Sequence, residues 1–249
     1  MIKVLLNGAS GKMGGVVTSL AESKDVEIVA GVDSKASSKP YPVYPSLDEV
    51  KEDFDVLIDF SRADSLSSIL EFITKKQKPA VLCTTGYTEA QIQSIRDTSG
   101  QVPVFRSANM SLGVNILSRI LKDYSKVLYE NYDIEIIEKH HNEKLDSPSG
   151  TAILLADVIR GAIEADTHVV YGREGMRKRE KSEIGVHAVR GGSIVGDHEV
   201  IFAGIGEVIE INHKAISKDV FAAGALEASK FMIGKAAGYY DMDDMLFRK

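Results

Sequence analysis

Near its beginning the sequence reads Gly8-Ala9-Ser10-Gly11-Lys12-Met13-Gly14. After Asn7, this glycine-rich segment follows residues 2–6, which are apolar except for Lys3, as in a strand buried on both faces. Residues 12–22 then show the spacing of a helix. A strand, a glycine loop and a helix in this order predict a helix amino terminus whose backbone N–H groups bind an anion.

The glycine spacing is typical of a dinucleotide-binding turn. One glycine permits a tight turn, one lets the backbone approach a pyrophosphate, and one lets the helix pack closely on the strand. Asp33 ends the next predicted strand, where a carboxylate accepts hydrogen bonds from ribose hydroxyls. A carboxylate alone favours NAD, but the neighbouring Lys12, Ser34 and Lys35 offset its repulsion of a 2′-phosphate. We therefore expect both NADH and NADPH to be used, with contacts from residues 8–13 and Asp33.

Strand and helix patterns alternate through the first half of the chain. The further predicted strands cover residues 26–32, 54–60, 79–84 and 102–106, and the further predicted helices cover residues 63–76 and 89–97. This alternation predicts an α/β fold with a Rossmann-type, doubly wound parallel sheet. The competing interpretation is an α/β domain that binds no cofactor and whose glycine turn holds no ligand.

Two loops follow predicted strands at the edge where open α/β sheets bind ligands. Small and amide side chains in them suit the nicotinamide carboxamide, which needs both a donor and an acceptor. The candidate cofactor contacts in these loops are Cys83, Thr84, Thr85, Ser107, Ala108, Asn109 and Met110.

The pattern changes after residue 107. Helical spacing covers residues 112–129 and 152–163, and strand-like runs cover residues 132–138, 185–190, 197–202 and 208–214. Strands grouped in this way predict a second, α+β domain with a largely antiparallel open sheet. Residues 221–233 return to helical spacing.

Composition excludes several classes of protein. The 249 residues are 44% hydrophobic and 27% charged, which excludes disorder for most of the chain. No apolar run approaches the roughly 18 residues of a membrane span. The formal net charge is -6, so the chain lacks the broad positive charge that is typical of a nucleic-acid-binding protein. Because Cys83 is the single cysteine and a strand begins at residue 2, we expect no disulfide, no signal peptide and a cytoplasmic location.

The densest group of reactive side chains lies at residues 138–151. Pro148 stops any preceding helix, so the amides of Ser149, Gly150 and Thr151 begin one and bind an anion such as a carboxylate. Lys144 adds a compact positive charge. A histidine next to a bound dianion is driven towards its protonated form, which suits a general acid.

Two other interpretations of the histidines remain open. Glu138, His140 and His141 are residue types that bind zinc, although neighbouring strand residues point to opposite faces and rarely share one ion. We therefore expect no metal. In the second interpretation, the two histidines bind neither a metal nor a substrate and are ordinary, solvated loop residues.

Taken together, these motifs resemble the dihydrodipicolinate reductase family. The matching segments run nearly from end to end: Gly8-x-x-Gly11-Lys12-Met13-Gly14, Thr84-Thr85-Gly86, Asn109-Met110-Ser111-Leu112-Gly113-Val114-Asn115, Glu138-x-His140-His141-x-x-Lys144-x-Asp146-x-Pro148-Ser149-Gly150-Thr151-Ala152, Arg190-Gly191-Gly192, Gly196-x-His198, His213-Lys214-Ala215 and Phe221-Ala222-x-Gly224-Ala225.

The resemblance implies reduction of a cyclic unsaturated dicarboxylate (4-hydroxy-tetrahydrodipicolinate or dihydrodipicolinate) to tetrahydrodipicolinate, in lysine and diaminopimelate biosynthesis, by a homotetramer. It implies that His140 donates a proton, with Lys144 assisting. The substrate-carboxylate contacts that it implies are His141, Lys144, Ser149, Gly150 and Thr151. It also implies a dinucleotide-binding domain of residues 1–110 and 219–249, and a substrate-binding and oligomerisation domain of residues 111–218.

Two other functions stay open. Another Rossmann dehydrogenase, such as a semialdehyde dehydrogenase, needs an acyl-carrying nucleophile, and Cys83 is the single thiol that could serve. A non-catalytic redox sensor would bind the dinucleotide without oxidising it.

Overall fold

The chain folds into two compact units. A computed structural model describes residues 1–35 and 38–248. Unit 1 comprises Met1–Leu112 and Lys218–Lys249, and unit 2 comprises Gly113–Ser217. Within the described residues, no helix has both the length and the apolar character needed to cross a lipid bilayer.

The strands and helices are numbered in chain order. The strands are β1 Ile2–Asn7, β2 Val26–Val32, β3 Val43–Tyr44, β4 Val56–Asp59, β5 Ala80–Leu82, β6 Pro103–Arg106, β7 Asp133–His140, β8 His168–Tyr171, β9 Glu183–Arg190, β10 Gly196–Ala203, β11 Val208–Ala215 and β12 Gly238–Tyr240. The helices are α1 Lys12–Ala21, α2 Leu66–Lys76, α3 Glu89–Ser99, α4 Leu112–Tyr129, α5 Gly150–Ala162, α6 Asp219–Phe231 and α7 Met242–Phe247.

Unit 1 holds a seven-stranded parallel sheet in the order β12-β6-β5-β4-β1-β2-β3. This is the doubly wound arrangement, and it confirms the predicted fold class. The edge strands β3 and β12 are additional to the five expected strands. They contain two and three residues, which is too short for a recognisable period.

Both faces of this sheet are buried. Val4 and Leu6 of β1 pack in the core that includes α1 and α6, whereas Leu5 packs in the core that includes α2 and α3. All three side chains are 0% exposed. Burial on both faces explains why the three consecutive residues 4–6 are all apolar.

Unit 2 holds a five-stranded sheet in the order β11-β10-β7-β9-β8. β10 is antiparallel to β7 and β11, but β9 is parallel to β7 and β8. The sheet is therefore mixed and not largely antiparallel. The reason is that α5 carries the chain back across the sheet before β8, and the loop 172–182 does the same before β9, so both strands run in the direction of β7.

One face of this sheet changes character along its strands. Ile134 and Ile136 of β7 pack with α4 and α5 in an apolar core. The next two residues on the same face, Glu138 and His140, are also buried but polar. The end of an otherwise apolar face therefore carries the reactive side chains.

Gly14 lies in the first turn of α1, directly against the preceding loop. A Cβ atom there would lie 2.4 Å from the backbone oxygen of Gly8 and 2.6 Å from that of Ala9. At the adjacent Gly15, a Cβ would meet only the Lys39 Nζ atom, at 3.9 Å. Close packing of the helix on its loop therefore depends on Gly14.

We expect Gly14→Ala to lower the free energy of unfolding by about 1–3 kcal/mol, because rigid backbone atoms cannot move away from the added methyl group. Gly15→Ala is the matched control, and we expect it to be neutral or to stabilise by up to about 1 kcal/mol. Urea unfolding followed by circular dichroism measures both. Equal effects of the two substitutions would contradict this account of the loop.

Candidate active site

The glycine loop of unit 1 has the geometry of an anion-binding turn. Gly8 has a φ of 82°, a conformation that favours glycine, and its N–H donates to the Val32 carbonyl oxygen at 2.8 Å. Gly11 caps α1 without a side-chain hydrogen bond. The first amides of α1 thus remain available to a phosphate group.

A cavity of about 700 Å³ opens beside this loop, a size suited to part of a dinucleotide. Its lining includes Gly8, Gly11 and Asp33, together with Phe60 and Ser61 after β4. A Cβ on Gly8 would lie 2.6 Å from the Phe60 carbonyl oxygen, so the loop and the β4 terminus are in close contact. The residues in unit 1 therefore fit a dinucleotide.

Asp33 ties the end of β2 to the glycine loop. One carboxylate oxygen accepts the Ser10 N–H and the other accepts the Lys35 N–H, both at 3.0 Å. Each oxygen keeps lone pairs for a further donor, such as a ribose hydroxyl. Lys12, Ser34 and Lys35 are exposed in this neighbourhood.

A buried carboxylate that the sequence analysis did not single out organises the same edge of the sheet. Asp59, at the end of β4, is 0% exposed. It accepts hydrogen bonds from Asn7 Nδ2 at 2.9 Å, from Ser61 Oγ at 2.6 Å and from Thr84 Oγ1 at 2.7 Å. The loops after β1, β4 and β5 therefore converge on one acceptor.

The two expected nicotinamide loops differ in what they expose. Thr84 is buried and its hydroxyl is used by Asp59, whereas Thr85 is exposed. Burial, together with the charge of Asp59, raises the pKa of the Cys83 thiol well above its usual range. Cys83 is therefore a protonated, buried thiol at neutral pH and is not an activated nucleophile.

The second loop folds on its own hydrogen bonds. Ser107 Oγ donates to the Asn109 carbonyl oxygen at 2.7 Å, and Asn109 Oδ1 accepts the Ser111 N–H at 2.9 Å. Ala108 is exposed, and the side chain of Met110 is buried in the unit 1 core.

In unit 2, Glu138 holds the reactive end of the sheet together. Its carboxylate is 0% exposed and accepts hydrogen bonds from both terminal nitrogens of Arg190, each at 2.7 Å. It also contacts His140 Nδ1 at 2.6 Å and accepts the Ser149 N–H at 2.9 Å. One carboxylate thus joins β7, β9 and the start of α5.

This pairing sets the chemistry of His140. The carboxylate beside Nδ1 holds the proton on that nitrogen, so Nε2 is the atom that can exchange a proton with a ligand. Burial lowers the pKa of His140, and the charges of Lys144 and Arg190 act in the same direction, whereas Glu138 raises it. The balance lowers the pKa below its usual value.

Ser149 caps α5 and contacts a second histidine. Its Oγ accepts the Ala152 N–H at 3.2 Å and lies 2.9 Å from His198 Nε2. His198 faces Glu138 across the β7–β10 pair, and its ring lies 5.2 Å from that of His140. Burial lowers the pKa of His198 to about 4, so this ring is neutral at physiological pH.

The remaining predicted residues surround this cluster. Lys144 Nζ pairs with Asp146 Oδ1 at 2.8 Å, and its side chain is 21% exposed. Gly150 is exposed and Thr151 half-buried in the first turn of α5. His141 is half-buried, and its Nδ1 has no hydrogen-bond partner within residues 1–35 and 38–248.

The zinc interpretation finds no matching geometry. In the part of the chain that the structure describes, no three His, Cys, Asp or Glu side chains are grouped as metal ligands. The Glu138 carboxylate instead contacts His140 Nδ1 and accepts hydrogen bonds from Arg190.

Sequence reasoning missed Asp59, Glu138, Arg190 and His198 as functional residues. Asp59 directly follows the apolar residues 56–58, and this was a usable signal, because a carboxylate at the end of a buried strand is rarely buried itself without a partner. The spacing of Glu138 and His140, two apart on a strand, also places them on one face. Nothing local indicates that Arg190 and His198, 52 and 49 residues away from their partners, reach the same point.

Comparison with known proteins gives a consistent result. Residues 2–110 match the family model described as dihydrodipicolinate reductase, N-terminus, and residues 113–246 match the model described as dihydrodipicolinate reductase, C-terminus. A 4-hydroxy-tetrahydrodipicolinate reductase of Clostridium perfringens is 56% identical over 99% of this chain and 98% of the relative. One from Clostridium tetani is 54% identical, over 99% and 97% respectively.

Among solved structures, a dipicolinate-bound dihydrodipicolinate reductase from Paenisporosarcina sp. TG-14 has the same fold. Its TM-score is 0.83 at 21% sequence identity, and the match covers 99% of this chain and 100% of that one.

We expect Glu138→Gln to lower the pKa of His140 further, because it removes the negative charge that raises it. It should also lower the free energy of unfolding by about 3 kcal/mol, since Arg190 would lose its partner. An NMR titration of the histidine Cε1–Hε1 signals gives the pKa, and urea unfolding gives the stability.

Glu135→Gln is the matched control, since Glu135 lies on the same strand but on the opposite face, against His187 at 2.8 Å. It should leave the pKa of His140 unchanged. A pKa of His140 that stays constant or rises in Glu138→Gln would show that Glu138 does not act on it electrostatically.

Proposed function

The chain belongs to the dihydrodipicolinate reductase family, and we propose that it reduces 4-hydroxy-tetrahydrodipicolinate, or its dehydrated form dihydrodipicolinate, to tetrahydrodipicolinate with a nicotinamide cofactor. This step belongs to lysine and diaminopimelate biosynthesis, which fits the expected cytoplasmic location. The observation that carries the proposal is the cluster in unit 2, where a proton-exchanging histidine held by Glu138 adjoins a lysine and the amino terminus of a helix.

Dicarboxylate binding follows from the start of α5. The amides of Gly150 and Thr151 lie at a helix amino terminus, where the peptide dipoles favour a negative charge. The Ser149 N–H, which the sequence also suggested, already donates to Glu138 Oε1 at 2.9 Å, so this amide is not available to the ligand. Lys144 gives the same region a flexible ammonium group, whose present partner Asp146 is 57% exposed and easily exchanged for a ligand carboxylate. His141 is the remaining candidate contact.

Proton delivery is assigned to His140, assisted by Lys144. Glu138 fixes the ring through Nδ1 and leaves Nε2 for the substrate. Position 196 on the neighbouring strand is a glycine, and a Cβ there would lie 3.0 Å from Nε2. The absence of a side chain at this position leaves Nε2 open to a ligand.

The cofactor is assigned to unit 1 and is NADH or NADPH. When bound, it supplies a hydride to the substrate. The amides after Gly8 and Gly11 would hold the pyrophosphate, Asp33 a ribose, and the loops that contain Thr85 and Asn109 the nicotinamide. The exposed Lys12 and Lys35 support acceptance of a 2′-phosphate, since they add positive charge beside Asp33.

The alternative functions are less well supported. A semialdehyde dehydrogenase needs a reactive thiol, and the Cys83 thiol is buried and has a raised pKa. A dinucleotide sensor has no use for the cluster around Glu138 and His140. It would nevertheless be supported if the chain bound NADH but oxidised it with no dicarboxylate.

We also propose that the protein is a homotetramer assembled through the unit 2 sheet. The face of this sheet opposite α4 and α5 carries Ile137 and Ile201 beside the Lys139–Glu199 ion pair, and Val189 is 44% exposed. An uncovered sheet face of mixed apolar and charged character is typical of a subunit interface.

Light scattering of the protein in solution should give a mass near that of four chains, and a monomer would contradict the proposed homotetramer.

We expect the protein to oxidise NADH and NADPH when the substrate is generated in the same cuvette, as measured by loss of nicotinamide absorbance.

Lys144→Ala should lower kcat/KM about 10- to 100-fold, because it removes a charged hydrogen bond to a carboxylate. Its affinity for reduced cofactor, measured by fluorescence titration, should stay within about twofold.

Lys126→Ala is the control, since that lysine forms an exposed ion pair with Glu164 on the surface of the same unit. It should leave turnover and cofactor affinity unchanged. If Lys144→Ala abolished cofactor binding, the assignment of the two ligands to separate units would be wrong.

A further inference from the structure

The charges around His140 balance before any ligand arrives. Arg190 and Glu138 form one ion pair at 2.7 Å, and Lys144 and Asp146 form a second at 2.8 Å. His198, the other titratable group that faces His140, is a neutral ring at physiological pH. A proton on His140, which is 8% exposed, would therefore add an uncompensated positive charge to a buried site.

Glu138 does not by itself supply the missing negative charge. Its two oxygens accept four hydrogen bonds, two of them from the Arg190 guanidinium. These bonds hold the pKa of Glu138 below its usual value, even though burial raises it. Arg190 thus shares the charge of this carboxylate. Glu138 orients the His140 ring through Nδ1 and raises its pKa, but by less than burial and the nearby cations together lower it.

A dicarboxylate reverses this balance. The ligand brings two negative charges against the single ammonium group of Lys144, so the site becomes negative unless a further cation forms. A negative charge within about 4–6 Å raises the pKa of a histidine by about 1–3 units. Of the two rings that face each other, His140 is the one that can respond, because its Nε2 atom is not used by Glu138, whereas His198 Nε2 contacts Ser149 Oγ.

We propose that His140 is neutral in the ligand-free site and takes up a proton as the dicarboxylate binds, with Glu138 and Arg190 acting as positioning residues. Binding of the substrate thus protonates His140, the residue that then donates the proton consumed in the reaction. The inference rests on the proposed function, because a dicarboxylate must be the ligand. The lowered pKa of ligand-free His140 is consistent with it.

Proton uptake is measured directly by isothermal titration calorimetry. The probe is dipicolinate, titrated into the full chain saturated with NADH, in buffers of different ionisation enthalpy above about pH 6, where both carboxylates of the probe are ionised. The slope of apparent enthalpy against buffer enthalpy gives the number of protons. At neutral pH we expect net uptake that is clearly above zero and reaches at most about one proton per site, and an affinity that falls as the pH rises.

Two variants identify the group that takes up the proton. His140→Gln should bind dipicolinate with a slope near zero. His187→Gln is the matched control, because His187 also pairs with a carboxylate, Glu135, but lies on the other face of the sheet. It should keep the wild-type slope, and light scattering should confirm that its assembly is unchanged.

A second measurement does not depend on the variants. In an NMR titration of the wild-type protein, the pKa of His140 should rise by at least about one unit when dipicolinate is bound. Dipicolinate binding without proton uptake, or uptake that persists in His140→Gln, would overturn this inference and leave the proposed function standing. Failure of the wild type to bind dipicolinate, together with no turnover, would overturn both.

Discussion

The ion pair between the buried Glu138 carboxylate and the half-buried Arg190 is the interaction on which the reactive end of unit 2 depends. A carboxylate that is fully removed from water is destabilising unless every lone pair finds a donor. Glu138 meets this requirement with donors from β9, from the start of α5 and from His140. The position of the helix amino terminus and the orientation of the histidine ring are thereby set by a single side chain.

Unit 1 also has a buried carboxylate that accepts several hydrogen bonds, and in this case the donors are neutral side chains. Asp59 ends β4 and accepts hydrogen bonds from Asn7, Ser61 and Thr84, which lie after three different strands. Since the carboxyl ends of parallel strands lie at one edge of the sheet, a central acceptor there holds several ligand-binding loops in register. In both units an acceptor at the end of a core strand organises the surrounding segments.

The two carboxylates differ in what they do to neighbouring groups. Burial, together with the charge of Asp59, raises the pKa of Cys83 and keeps that thiol protonated. Glu138 raises the pKa of His140, but burial and the charges of Lys144 and Arg190 together lower it by more. Since both nearby cations are already paired with carboxylates, a bound dicarboxylate adds negative charge beside the imidazole, and in the proposed mechanism this links ligand binding to the protonation of His140.

The sequence alone determined the features that depend on local pattern. The glycine loop between β1 and α1, the doubly wound sheet and the long helix α4 follow from periodicity and glycine spacing within short windows. The family resemblance, carried by motifs distributed along the chain, is confirmed by matches over residues 2–110 and 113–246. The mixed direction of the unit 2 sheet was not predicted, because strand direction depends on how the connections cross the sheet and not on strand composition.

Only the tertiary structure showed that Arg190 and His198 meet Glu138 and Ser149. Their pairing depends on strand register, which no local window contains, and a shift of one residue would turn these side chains to the opposite face. Residue types could therefore indicate that acid–base chemistry was present. The protonation state of His140 depends on burial and on the distances between charges, and these exist only once the strands are paired.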